Sequence, residues 1–128
     1  PLSLVMCDLD YFKNCNDRYG HCVGDLMLVQ FAQILKKEAS HAVVARYGGE
    51  EFAVLLPEMA RKESLELAEK IRKAVEDYSF EVRRERISMT ISAGVASLPE
   101  DTLEMEDLIQ KADEALYAAK RSGRNRVC

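Results

Sequence analysis

The side chains best suited to chemistry in this sequence are carboxylates, and they occur in two separate places. Asp8 and Asp10 follow a nearly continuous apolar run at residues 2–7, which has the length and composition of a strand buried on both faces. Glu50 and Glu51 follow a pair of glycines in the middle of the chain. Hard divalent cations such as Mg²⁺ prefer oxygen ligands, commonly one or two carboxylates together with substrate phosphates. A strand-end aspartate facing one of these glutamates would form such a cation site.

The two glutamates lie at the tip of a predicted β-hairpin. Short β-rich runs at residues 43–47 and 52–56 flank Gly48 and Gly49, and a Gly-Gly pair between such runs favours a two-residue turn with positive φ. Acidic residues are poor strand formers, and adjacent like charges repel each other. A neutralising cation would explain their position, and a solvated turn with two surface glutamates is the alternative.

Other interpretations exist for the aspartates and for the residues after them. Either aspartate can cap the short helix predicted to follow. A calcium-binding EF-hand loop is excluded, because Phe12 and Lys13 stand where such a loop needs an acidic or amide ligand and a glycine. His21 is adjacent to Cys22, but the four cysteines show no CxxC pair and no zinc-type spacing. The pattern therefore favours a magnesium-type carboxylate site over a calcium or zinc site.

The rest of the sequence predicts the elements that position these carboxylates. The predicted helices cover about residues 11–18, 25–39, 61–77 and 104–121, the last with Met105 and Ile109 on its buried face. The predicted strands are residues 2–7, 43–47 and 52–56, a brief edge strand at 80–82, a half-buried strand at 87–95 and a short final strand near Val127. Helices covering one side of such strands predict an α+β layered domain.

Composition limits the class of protein. A chain of 128 residues fits one domain with a single core, and 48% hydrophobic with 31% charged residues is typical of globular proteins. No apolar run is long enough to span a bilayer and no signal-peptide pattern opens the chain, so we expect no membrane contact. The net charge of −4 argues against general nucleic-acid binding. Unpaired cysteines favour a reduced, cytoplasmic setting.

Several blocks of the sequence together resemble the GGDEF family of bacterial diguanylate cyclases. These blocks are Asp8-Leu9-Asp10-Tyr11-Phe12-Lys13, Asn16-Asp17, Gly20-His21, Gly24-Asp25, Gly48-Gly49-Glu50-Glu51-Phe52, Ala115-Leu116-Tyr117-Ala118-Ala119-Lys120 and Gly123-Arg124-Asn125. They follow the family's order over nearly the whole chain, which is more specific than the five-residue signature alone. The resemblance implies the ferredoxin-like palm of nucleotidyl cyclases, with a mostly antiparallel central sheet flanked by helices.

The resemblance also bears on domain organisation. Members of this family usually carry a helix and a further short motif ahead of the first strand. We therefore expect residues 1–128 to be one GGDEF domain without that N-terminal helix segment. The chain would then be the cytoplasmic part of a longer protein with sensory or membrane parts.

The resemblance assigns roles to the carboxylates. It implies that Asp8, the backbone carbonyl of Leu9 and Glu50 hold Mg²⁺ or Mn²⁺. Glu51 is implied as a second ligand or a supporting carboxylate, and either glutamate could help to accept a hydroxyl proton. A regular strand sends neighbouring side chains to opposite faces, so a bend at the turn is required if both glutamates serve one cation.

Guanine recognition is implied for two residues. Asn16 and Asp25 match the family's guanine-contacting positions, and a carboxylate with an amide suits the donor and acceptor edges of guanine. Asp25 could instead be a helix N-cap or first-turn acid, and Asn16 could cap a turn. His21 is implied chiefly to shape the loop, with substrate contact secondary.

The triphosphate is implied to meet the cationic residues. Lys13 follows the metal strand, and Lys120 and Arg124 end the last helix. Cations at a helix C-terminus are favourable by themselves, so this placement has a purely structural alternative. Backbone amides of the segment after Asp10, including Phe12, would add donors to the phosphates.

The implied activity is a diguanylate cyclase that condenses two GTP into cyclic di-GMP and pyrophosphate. The 3′-hydroxyl of one GTP would attack the α-phosphate of the other with Mg²⁺ assistance, at the interface with a second copy of the domain. The alternative is a non-catalytic GTP-binding regulatory module. An adenylyl-type cyclase with the same palm is disfavoured by the guanine-suited pair.

One departure from the family concerns regulation. Many members carry an Arg-x-x-Asp motif before the signature, which binds product and inhibits the enzyme. The aligned positions here are Ala39-Ser40-His41-Ala42, which supply neither side chain. We therefore expect no product inhibition through that site.

Overall fold

Seven strands and four helices follow one another along the chain, and the computed structural model describes all residues 1–128. The strands are β1 Leu2–Leu9, β2 Val43–Gly48, β3 Glu51–Pro57, β4 Ser79–Val82, β5 Glu85–Ser88, β6 Ile91–Leu98 and β7 Arg126–Val127. The helices are α1 Phe12–Tyr19, α2 His21–Glu38, α3 Arg61–Asp77 and α4 Met105–Arg121. These elements agree with the predicted helices and strands in number and order, except in the region before β6.

The central sheet has five strands in the order β2-β3-β1-β6-β7. β1 pairs antiparallel with both β3 and β6, and only the short β7 runs parallel to its neighbour β6. The predicted α+β fold with a mostly antiparallel sheet is therefore confirmed. Because β1 lies in the middle of the sheet, both of its faces are buried, which explains its nearly continuous apolar sequence.

Helices cover both faces of the sheet, so the expectation that they cover one side is wrong. A large core on one face joins β1, β3 and β6 to α1, α2 and α3. A smaller core on the other face packs α4 against the sheet through six buried residues, Leu4, Met6, Ala96, Leu108, Ala112 and Leu116. The site residues that follow β1 can thus be approached by α1 from one side and by α4 from the other.

The half-buried strand predicted at residues 87–95 is also wrong. The segment is divided between β5, which pairs with β4 in a separate two-stranded sheet, and β6, which is buried on both faces. The small residues that suggested a solvent face serve packing and hydrogen bonding instead. Gly94 lies against the backbone of α4, and Ser92 donates a hydrogen bond to Asp10.

Two helices differ from their predicted form. The buried face of α4 is Leu108, Ala112, Leu116 and Ala119, whereas Met105 and Ile109 are 64% and 43% exposed. α2 begins at His21, four residues before the predicted start. Only Gly20 separates it from α1, and Gly24 lies inside the helix instead of ahead of it. Neither α2 nor any other helix is long and apolar enough to cross a membrane.

Candidate active site

Two buried aspartates lie where the chain leaves β1, the central strand of the sheet. Asp8 lies between Glu51 of β3 and Ser92 of β6 in the strand register, and Asp8 and Asp10 are each 4% exposed. Tyr11 then adopts a left-handed conformation with φ 56°, which turns the chain directly from β1 into α1. The sheet therefore fixes the backbone that carries these carboxylates.

The hairpin between β2 and β3 has a two-residue turn, as predicted, but the turn lies one residue later than the Gly48-Gly49 pair, since Gly48 still belongs to β2. Gly48 pairs with Glu51, so Gly49 and Glu50 form the loop, and Gly49 has a φ of 43°. The side-chain Nε of Arg46 donates a 2.7 Å hydrogen bond to the Gly49 carbonyl, which ties the strand to its own turn. Glu50 is thus presented from the loop, whereas Glu51 already belongs to β3.

One cavity of about 230 Å³ gathers groups from the end of β1, the start of α1, the hairpin and the end of α4. Its lining includes Asp8 and Glu50, the two carboxylates expected to converge. Of the predicted site residues, seven line it, namely Asp8, Leu9, Phe12, Lys13, Glu50, Lys120 and Arg124, and they are joined by Asp10, Tyr11 and Asn14. Four predicted site residues, Asn16, His21, Asp25 and Glu51, do not line this cavity.

An ion pair in the cavity joins Lys120 to Asp8, with 2.6 Å between Nζ and Oδ2. Burial raises the pKa of Asp8 above its ordinary value, the Lys120 contact opposes this shift, and the nearby charges of Glu50 and Asp10 reinforce it. The carboxylate of Asp8 is therefore held where negative charge is costly unless a cation compensates it. Lys120 supplies part of that compensation.

The donor set fits a hard divalent cation. Asp8 and Glu50 provide carboxylate oxygens, and Leu9 lines the same cavity. No three His, Cys, Asp or Glu side chains are gathered closely enough to form a metal cage by themselves. Mg²⁺ commonly takes only one or two protein carboxylates and completes its shell with water and phosphate oxygens, so this arrangement suits it.

Glu51 has surroundings different from those of Glu50. It is paired with Asp8 across the strands, and its side chain is hydrogen-bonded to Asp113 of α4. Burial raises the pKa of Glu51 to about 7, with the Asp113 hydrogen bond and the charges of Asp113 and Asp8 acting in the same direction and Lys120 opposing them.

Glu51 makes the stability of the chain depend on pH with a definite sign. Because its pKa is raised on folding, the stabilisation is fully present below the ordinary value of 4.5 and is lost as the pH rises through about 7. We expect the free energy of unfolding in Mg²⁺-free buffer to fall from about pH 5 to about pH 8, and to fall less in Glu51→Gln. Urea unfolding at the two pH values measures both differences. An equal or steeper fall in the variant would contradict this assignment.

The residues implied for guanine recognition lie beside the cavity on α1 and α2. The Oδ1 atom of Asn16 is buried without a hydrogen-bond partner and lies against Gly24. Asp25 is exposed and lines a neighbouring cavity together with Arg46. Its alternative role as a helix N-cap or first-turn acid is wrong, because α2 begins at His21. His21 is itself exposed at the first turn of α2.

Besides Asp10 and Asn14, two further residues that contact the site were not predicted as site residues. Asp113 reaches Glu51 from α4, and Tyr11 places its ring 4.8 Å from the guanidinium carbon of Arg124. A signal for Asp113 was present, since it precedes Lys120 by seven residues and two helical turns bring such residues to one face. Tyr11 gave no comparable signal, because its role depends on a loop more than 100 residues away.

The sheet topology and the carboxylate cavity define an α+β domain of the nucleotidyl cyclase palm type. The family description "Diguanylate cyclase, GGDEF domain" matches residues 1–126. The chain belongs to this family. Among its curated relatives, Diguanylate cyclase A of Treponema denticola is 45% identical over 127 residues, which cover 98% of this chain and 34% of the relative. The chain therefore spans about a third of that relative's length.

Solved structures give the same result. The active GGEEF domain of a diguanylate cyclase from Vibrio cholerae has a TM-score of 0.89 and 38% identity, covering 99% of this chain and 81% of that one. The GGDEF domain of DgcB from Caulobacter crescentus, solved in complex with c-di-GMP, has a TM-score of 0.86 and 36% identity, covering 98% of this chain and 75% of that one. At these identities the likeness supports the family as well as the fold.

Proposed function

We propose that this chain is the catalytic domain of a diguanylate cyclase, which condenses two GTP molecules into cyclic di-GMP and two pyrophosphates. In each half-reaction a 3′-hydroxyl oxygen bonds to the α-phosphorus of the other GTP, the bond to pyrophosphate breaks, and the hydroxyl proton is released. The observation that carries the proposal is one cavity lined by Asp8 and Glu50 together with the cations Lys120 and Arg124. Phosphoryl transfer depends mainly on positioning and charge neutralisation, which this set can supply.

The carboxylates would hold the cation and receive the proton. Asp8, the carbonyl of Leu9 and Glu50 would bind Mg²⁺ or Mn²⁺, and Glu51 would support them from β3. The bound cation would neutralise phosphate charge and lower the pKa of the attacking hydroxyl. Of the three carboxylates in the cavity, Asp8 is paired with Lys120 and Asp10 accepts hydrogen bonds from protein groups, so Glu50 is the better candidate to accept the hydroxyl proton.

The cationic and amide groups would bind the triphosphate. Lys120 and Arg124 contribute charge from the end of α4, and Lys13 contributes it from α1. The first amides of α1, at Phe12 and Lys13, have no partner within the helix and can donate to phosphate oxygens. Together these groups would orient the α-phosphate toward the second substrate.

Guanine would be bound by Asn16 and Asp25, with His21 shaping the loop between α1 and α2. The buried, unpaired Oδ1 of Asn16 supports this role. When the oxygen of the amide faces the interior, its Nδ2 donor group points in the opposite direction, where it can donate to guanine. Asp25 is an exposed acceptor on the adjoining helix, suited to the N1–H and 2-amino groups of guanine.

A substitution at Gly24 tests the role of Asn16. A Cβ at Gly24 would overlap Oδ1 of Asn16, so Gly24→Ala should displace that amide. We expect GTP to bind about tenfold more weakly, since one hydrogen bond to the base would be lost. Calorimetric titration with GTP measures the change. Gln33→Ala, an exposed substitution on the same helix, is the control, and equal affinities in both variants would refute the role.

The reaction would require a second copy of the domain. Each chain carries one set of these groups and so would hold one GTP, whereas cyclisation joins two. A two-fold dimer would place two bound nucleotides face to face, with the acceptor hydroxyl supplied across the interface.

Incubation with GTP and Mg²⁺ tests the proposed activity directly. Formation of cyclic di-GMP from GTP, with no cyclic product from ATP, is the expected result. GTP that binds but remains unchanged would instead support the alternative, a non-catalytic regulatory module. A cyclic product from ATP would support an adenylyl-type cyclase.

Product inhibition through the family's Arg-x-x-Asp position is not expected. Ala39 and Ala42 occupy the positions of the arginine and the aspartate. Without the arginine and the aspartate at these two positions, the surface lacks the guanidinium and the carboxylate with which the family motif would pair with the product. Calorimetry with cyclic di-GMP measures binding, and His41→Ala reports whether this surface contributes. Tight binding that His41→Ala weakens would contradict the prediction.

A further inference from the structure

The loop that leaves α4 has an unusual backbone. Gly123, Arg124 and Asn125 all have positive φ, at 131°, 63° and 46°. Residues other than glycine rarely adopt positive φ, and they keep this backbone conformation only where surrounding contacts hold it. The Arg124 amide donates to the carbonyl of Ala119 at 3.0 Å. This hydrogen bond closes the end of the helix, but it does not fix the direction in which the loop leaves the helix.

Asn125 supplies the missing contacts with its backbone and both ends of its side chain. Its backbone amide donates to Oδ2 of Asp10 at 3.0 Å. Its Nδ2 donates to Oε2 of Glu76 at 2.6 Å, and its Oδ1 accepts from Nη1 of Arg72 at 2.8 Å. These three partners, Asp10 at the end of β1 with Arg72 and Glu76 of α3, are called the asparagine clamp below.

The members of the asparagine clamp are themselves fixed. Asp10 also accepts hydrogen bonds from Thr90 at 2.7 Å and Ser92 at 2.6 Å, and it is 4% exposed. The Arg72 side chain is 14% exposed and is paired with Glu69 at 2.6 Å and with Glu76 at 3.3 Å. Asn125 is therefore anchored to the sheet and to α3 by groups that have little freedom to move.

The residue next to Asn125 is the one that faces the cavity. Arg124 lines it, and its guanidinium carbon lies 4.8 Å from the ring centre of Tyr11. Arg124 forms none of the ion pairs in the structure, so its charge is not neutralised by a carboxylate. Stacking on an aromatic ring orients a guanidinium while leaving its N–H groups free to bind an anion.

We propose that Asn125 is a positioning residue for Arg124. The asparagine clamp holds the left-handed turn, and that turn directs the Arg124 guanidinium onto Tyr11 and into the cavity. Asn125 itself touches no substrate. Preorganisation of this kind lowers the entropic cost of binding. That the bound group is the triphosphate of GTP rests on the proposed function.

Asn125→Gly isolates the clamp, because glycine keeps the left-handed backbone accessible while removing both side-chain contacts. The nucleotide-free readout is the Nε–Hε resonance of Arg124 by NMR, which the Tyr11 ring shifts when the two groups stack. Tyr11→Leu defines the position of that resonance without stacking. We expect Asn125→Gly to move the resonance to the Tyr11→Leu position. An unmoved resonance would overturn the proposal whether or not the chain binds GTP.

Ligand binding then tests the consequence for substrate. With Mg²⁺ present, Asn125→Gly should weaken GTP binding about tenfold and leave guanosine binding unchanged, since only the phosphates would use Arg124. Arg86→Gln, which removes an exposed ion pair with Glu81 on the separate sheet, should change neither. Equal weakening of GTP and guanosine would overturn the positioning role. Wild-type chain that binds no GTP would refute the proposed function, and the NMR comparison would still decide the clamp.

Two milder variants guard against loss of folding. Glu76→Gln retains an acceptor oxygen for the Asn125 amide, whereas Glu76→Ala removes it from a half-buried site. We expect Glu76→Ala to shift the Arg124 resonance and GTP affinity in the same direction as Asn125→Gly, and Glu76→Gln to restore both. Identical behaviour of the two Glu76 variants would contradict the clamp.

Discussion

Glu50→Gln is expected to lower the rate of cyclic di-GMP formation by about a thousandfold, the scale of losing a preorganised electrostatic group in a transition state. The side chain keeps its size, but it loses the negative charge that we propose binds the cation and accepts the hydroxyl proton. GTP should still bind, because Lys13, Lys120 and Arg124 are unchanged and lie in the same cavity. Chromatographic measurement of initial rates at saturating GTP and Mg²⁺ tests the prediction.

A matched substitution separates this effect from a general change of surface charge. Glu85 is an exposed glutamate of the separate two-stranded sheet, and Glu85→Gln should leave the rate unchanged. A Glu50→Gln rate within about tenfold of wild type would mean that Glu50 has no direct part in the chemistry, because tenfold corresponds to only about 1.4 kcal/mol of transition-state free energy.

Gly94→Ala is expected to lower the free energy of unfolding by about 3 kcal/mol, the upper range for overpacking a core. Gly94 lies opposite Met6 in the middle of the sheet, where α4 crosses β6. An added Cβ would overlap the backbone nitrogen of Leu116 and the carbonyl oxygen of Ala112. Backbone atoms cannot rotate away as a side chain can, so the helix itself would have to move. Urea unfolding of the wild-type chain and the variant measures the loss.

Gly48→Ala is the matched control for this prediction. A Cβ at Gly48 meets no atom within 4 Å, and Gly48 is not among the residues with positive φ. We expect its free energy of unfolding to stay within about 0.5 kcal/mol of wild type, as for most surface substitutions. If Gly94→Ala proved equally mild, α4 would not lie against β6 as closely as described.

The parts of the fold that depend on local pattern could be predicted from the sequence. The continuous apolar run of β1, the central hairpin and the helical spacing of α3 each combine a clear hydrophobic pattern with flanking turn residues. For α3 the predicted bounds, residues 61–77, agree with the observed helix. These signals are local, and tertiary contacts do not oppose them here.

The predictions that were wrong concern features that depend on how helices and strands pack against each other. Ser92 and Gly94 have the appearance of a polar strand face, but Ser92 satisfies a buried carboxylate and Gly94 admits a helix backbone. Met105 and Ile109 are hydrophobic residues of the kind found in cores, but the face of α4 that packs on the sheet is a narrower stripe that leaves both of them exposed. Hydropathy alone does not distinguish a small residue that faces solvent from one that allows close approach.

The residues of the candidate site also fall into those that local sequence predicts and those that depend on packing. The cavity residues could be predicted because they occur in contiguous blocks at the end of β1, in the hairpin and at the end of α4. The clamp on Asn125 could not, because its hydrogen bonds join residues 49, 53 and 115 positions apart. Glu51 was predicted as a carboxylate of the site, but its contact with Asp113 is formed only when α4 docks.

The absent methyl group of Gly94 has a consequence beyond packing. Leu116, whose amide lies over Gly94, precedes Lys120 by one helical turn, or about 6 Å along the axis. The depth at which α4 settles on the sheet therefore determines how far the ammonium group stands from Asp8. A glycine with no chemical function of its own thus sets the distance between the two charges of the Asp8–Lys120 ion pair.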